Sequence, residues 1–61
     1  MAQITAKELT ALDDLLGMEN VLVAKYRQYA ADTADAALKD CYTQQAQRHQ
    51  HHFDELYGNL K

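Results

Sequence analysis

The 61-residue chain has no proline and only two glycines, so the usual helix breakers hardly punctuate it. Nothing in it resembles a linker, a repeat or a low-complexity segment. One cysteine, Cys41, excludes an intramolecular disulfide and fits a reducing compartment. No run of about 18 apolar residues occurs, so no membrane contact is expected. The start, Met-Ala-Gln-Ile-Thr-Ala-Lys-Glu, lacks the long apolar stretch of a secretory signal, and a cytoplasmic location is expected. Six basic residues, scattered singly in a chain of net charge -3, provide no stripe for phosphates, so nucleic acid is not an expected partner. No phosphate loop, nucleophile elbow or zinc-finger spacing is present, and no enzymatic activity is expected.

What is present is helical patterning in a chain 48% apolar, an ordinary share for a folded domain and too high for a disordered one. Ile4-Thr5-Ala6-Lys7-Glu8-Leu9 reads as a helix start: Thr5 caps, Glu8 reaches back as a capping box, and Ile4 staples onto Leu9. From there Leu9, Leu12, Leu15, Leu16, Leu22, Val23, Tyr26, Tyr29 and Ala30 occupy one half of the helix circumference. This arc is wider than one neighbouring helix covers. Gly17 lies on the opposite side and marks either a close helix approach or a weak spot.

Asp32-Thr33-Ala34-Asp35 interrupts the pattern and the apolar phase slips, because continuing the first repeat would bury Asp40, Gln44 and Gln47. The apolar set that follows runs Leu38, Cys41, Tyr42, Phe53, Leu56. A phase slip beside a polar cluster predicts a turn, with Thr33 or Asp35 capping a second helix and Gly58 ending it in the left-handed conformation. The expected fold is all-α: one domain over 1–61, an antiparallel two-helix hairpin with helices over about 6–31 and 36–57 and a turn over about 32–35. The rival is one continuous helix of about fifty residues, which the lack of Gly and Pro at the turn leaves open. A chain this short removes only about 60% of its unfolded surface from water. Without a disulfide it needs a metal or a second chain, and two hairpins related by a two-fold axis would close a four-helix bundle. The expected partner is therefore a second copy.

At about 100° per residue, Gln45, His49, His52, Phe53 and Leu56 share a face with Leu38 and Tyr42. His49 sits at the centre of that face, and Glu19 is the one acid on the apolar face of the first helix. With a turn near Thr33 and Ala34, positions whose numbers sum to about 67 lie level: Glu19 with His49, Tyr26 with Tyr42, Leu12 with Leu56, Leu16 with His52. Two readings follow. Glu19 and His49 form a buried hydrogen-bonded pair that sets helix register, with no cofactor. Alternatively Glu19, His49 and His52 are metal ligands for Fe or Zn at a dimer interface, as carboxylates and imidazoles on facing helices are in other bundles. His51 points to the polar face, and Cys41 reads as a small hydrophobe.

The run Asp14-Leu-Leu-Gly-Met-Glu-Asn-Val-Leu-Val-Ala-Lys-Tyr-Arg-Gln-Tyr, then Asp35-Ala-Ala-Leu-Lys-Asp, then His49-Gln-His-His-Phe-Asp-Glu-Leu, resembles the Coat F family of bacterial spore coat proteins, within the ferritin-like superfamily. The resemblance implies a ferritin-like four-helix bundle, a structural or assembly role in a spore coat, and other coat or assembly proteins as partners. It also implies a comparison of ligands, since ferritin-like di-iron proteins carry a Glu on the first helix of a pair and Glu-x-x-His on the second. Glu19 matches the first and His49 the last, while Ala46 stands where the second glutamate would be.

Overall fold

The computed structural model describes residues 4–60. Two helices, α1 (Ala6–Asp32) and α2 (Ala36–Gly58), make up nearly all of it. They fold back on one another as an antiparallel hairpin of 47 × 16 × 11 Å, with no strand among the described residues. None of the described helices is long and apolar enough to cross a membrane.

The start of α1 follows from Thr5. Its hydroxyl oxygen accepts the Glu8 backbone N–H at 3.1 Å, satisfying one of the donors that a first helical turn leaves over. Glu8 does reach back, but to the Thr5 hydroxyl, which donates to its carboxylate at 3.0 Å, rather than to the backbone N–H expected of a capping box. Ile4 and Leu9 both remain exposed.

The turn needs neither glycine nor proline because every residue in it keeps an ordinary φ. Thr33 (φ -80°, ψ 139°) leaves the helix into the extended region, and its N–H still bonds the Tyr29 carbonyl at 3.1 Å. Its hydroxyl accepts from the Asp35 N–H at 3.2 Å, and the Asp35 carboxylate accepts from Leu38 N–H at 2.9 Å. Side-chain oxygens thus take over the hydrogen bonds that a continuous helix would have made. At the far end the sequence expectation fails. α2 runs through Gly58, which has no positive φ, and stops at Asn59 (φ -72°, ψ -10°). The Asn59 and Leu60 N–H groups bond Leu56 and Tyr57 carbonyls at 3.1 and 3.0 Å. This tightening to i→i−3 bonds satisfies terminal carbonyls without a left-handed residue.

The core between the helices is thin. Leu16, Val23 and Ala30 of α1, spaced by sevens, and Ala46 of α2 are the buried apolar residues described. The two alanines let the helices approach. Toward the turn Tyr26, Tyr29 and Tyr42 form an aromatic layer, with Tyr29 and Tyr42 ring centres 5.5 Å apart and Tyr26 and Tyr42 6.3 Å apart. Two residues expected inside are not. Leu38 is 46% exposed, and Cys41 is exposed. Both lie at the side of α2's inner face, where one neighbouring helix is too narrow to cover them.

Candidate functional site

Glu19 projects from the middle of α1 and His49 from the middle of α2, and the hairpin register brings them level. His49 Nδ1 lies 2.9 Å from Glu19 Oε2. The register that sets Glu19 beside His49 also sets Tyr26 beside Tyr42, both pairs summing to the same number. His52 joins the same carboxylate: its Nδ1 is 3.6 Å from Glu19 Oε2. One donor atom from each of Glu19, His49 and His52 lies within 4.8 Å of the others.

The direction in which helical side chains lean explains the convergence. Long side chains point back over the turn N-terminal to their own Cα. Glu19 therefore leans toward the level of Leu16, which faces His52, while His52 leans back toward the level of His49. By the same geometry the rings of Tyr26 and His49 lean toward each other and stack, with centres 5.7 Å apart and planes 8° apart. Sequence reasoning paired Tyr26 with Tyr42 by level and missed its contact with His49. The lean of the rings is the signal that would have found it. The His49 and His52 rings meet edge to face at 5.5 Å.

The layer is half-buried rather than buried. The side chains of Glu19 and His49 are 17% and 19% exposed, and that of His52 is 43% exposed. No polar or charged residue described is fully buried, so the Glu19–His49 contact screens two polar groups at the edge of the core instead of burying an ion pair within it. Gln45 is half-buried one turn before His49. His51 is outside the cluster; on the outer face its Nε2 lies 3.3 Å from Glu55, with both side chains largely exposed.

Beside the cluster runs a groove of about 300 Å³, lined by Leu15, Glu19, His52, Glu55, Leu56 and Asn59. Two carboxylates and an imidazole face it, and no lysine or arginine is among the lining residues. A di-iron centre of the ferritin-like kind does not fit these side chains. Such a site takes a carboxylate from each helix of a pair, whereas the converging cluster has Glu19 as its one carboxylate together with two imidazoles, and Glu55 of α2 lies against His51. Ala46, the position of the second carboxylate, is a buried core residue. Compared with known protein families, with curated proteins and with solved structures, the chain gives no match.

Proposed function

We propose that the protein is a structural or assembly protein whose working unit is a homodimeric four-helix bundle, made when two hairpins join about a two-fold axis. The observation that carries this reading is an apolar stripe left open along one side of the hairpin. Leu15 and Tyr29 of α1 and Leu38 of α2 are each 46% exposed. Leu22 lies between Leu15 and Tyr29 at seven-residue spacing, and Leu38, Gln45 and His52 repeat that spacing on α2. A seven-residue repeat is the seam along which helices pack at a shallow angle. Leu15 and His52 line one groove, so the two stripes belong to the same side of the hairpin.

The surface area points the same way. The hairpin exposes 4762 Å², whereas a compact monomer of its 6.9 kDa would expose about 4,000 Å². The difference reflects the elongated shape of the hairpin, whose apolar stripe a second chain can cover. Closing the bundle would cover Leu15, Leu22, Tyr29 and Leu38 together. The resemblance in residues 14–29, 35–40 and 49–56 supplies the setting we propose, a coat-like protein layer assembled in the cytoplasm from such dimers. The proposed role is mechanical rather than catalytic, because neither the exposed Cys41 nor the aromatic layer presents a nucleophile with an arranged base.

Thermal denaturation over about a hundredfold range of protein concentration tests the unit. An obligate dimer melts higher as concentration rises, and a melting temperature independent of concentration would contradict it.

A further inference from the structure

We infer that Glu19, His49 and His52 form a binding site for one divalent first-row transition-metal ion within each hairpin, with an open side toward the groove at Leu15 and Glu55. This site is mononuclear and takes no ligand from a second chain, although its open side, at Leu15 and His52, lies on the stripe that the proposed dimer covers. A four-coordinate ion with ligands at about 2.0–2.1 Å has ligand atoms about 3.3–3.4 Å apart. The two separations about Glu19 Oε2, 2.9 Å to His49 Nδ1 and 3.6 Å to His52 Nδ1, straddle that value. All three donors fall within 4.8 Å, so small changes of side-chain torsion bring them onto one ion.

Three further features point to a cation. The donors come from two helices held in register by their own core, and His49 and His52 are one turn apart on the same face of α2. The His49 ring is restricted in direction by its stack on Tyr26, with its Nδ1 toward Glu19. The groove beside the cluster carries Glu19 and Glu55 and neither lysine nor arginine, and in the single hairpin its open side leaves room for water to complete the coordination. Two imidazoles and one carboxylate suit zinc, cobalt, nickel, copper or iron, whereas magnesium and calcium prefer oxygen ligands throughout. Binding exchanges the Glu19–His49 contact for two bonds to the ion and ties α1 to α2 at mid-hairpin.

The test is titration of the untagged chain with Co(II), followed by its visible absorption and then by displacement with Zn(II). The expected result is one equivalent per chain, with the spectrum of nitrogen and oxygen ligation. Glu19→Gln, His49→Gln and His52→Gln should each weaken binding by more than the roughly 10–100-fold that loss of an outer partner costs, while His51→Gln should leave it unchanged. His52→Gln is the decisive variant, because that half-exposed ring is removed without opening the core, and circular dichroism verifies that the variant is folded. Absence of saturable binding, binding that survives His52→Gln, or half an equivalent per chain would each overturn the single-hairpin site.

Discussion

Glu19 and His49 are the residues at which a small change has the most informative outcome. Their contact shields two half-buried polar groups, so removing Glu19 leaves His49 without its partner, and removing His49 leaves Glu19 only the longer contact to His52. Glu19→Leu or His49→Leu alone should cost about 1–3 kcal/mol in a urea denaturation. The double replacement should cost much less than the sum of the two and can be neutral, since apolar side chains at that level extend the core. Additive losses would mean that the two side chains do not act as a pair. Leu16 behaves differently: it is 8% exposed, and Leu16→Ala should cost about 2 kcal/mol or more through a cavity alone. The Glu19–His49 pairing was legible in the sequence, because a level-matching sum needs only the place of the turn. The exposure of Leu38 and Cys41 was not legible, because a face can be read from periodicity but the width that one neighbour covers depends on helix diameter and packing distance.

At the scale of elements, each helix is fixed at its start by one side-chain cap. Asp35 supplies the acceptor that begins α2, so Asp35→Ala should lower stability by about 0.5–2 kcal/mol, with the loss read from thermal melts at fixed concentration. Asp35→Asn should restore most of it. Gly17 tests the middle of α1. A Cβ added there meets nothing within 4 Å, so Gly17→Ala should raise helix and hairpin stability by about 0.5–1 kcal/mol. A loss of stability would mean that another chain packs against Gly17 closely enough to need its missing side chain. The turn could be read from the phase slip alone, since a continued repeat would have buried Asp40, Gln44 and Gln47. The end of α2 could not. Gly58 permits a left-handed stop without requiring one, and the last carbonyls are instead met by tightened backbone bonds from Asn59 and Leu60.

For the molecule as a whole, the thin core and the open stripe set the expectations. Among the described residues four apolar ones are buried, two of them alanine, which leaves Leu15, Leu22, Tyr29 and Leu38 partly or largely facing solvent. Leu38 is therefore a probe of association rather than of the hairpin's own core. Leu38→Lys should leave helicity nearly unchanged in concentrated solution while raising the protein concentration at which dilution unfolds the chain. A chain that unfolds at all concentrations would instead place Leu38 inside the hairpin's own packing. The hairpin itself was legible because its signals are local: a cap, a phase slip, a second cap. A two-fold partner leaves a weaker trace in one chain, namely an apolar arc too wide for one neighbour, and the width of that arc on α1 is why the dimer is our central claim. Sedimentation equilibrium at micromolar concentration should find a folded species of twice the 6.9 kDa chain mass; a folded, helical species at the mass of a single chain would rule the dimer out.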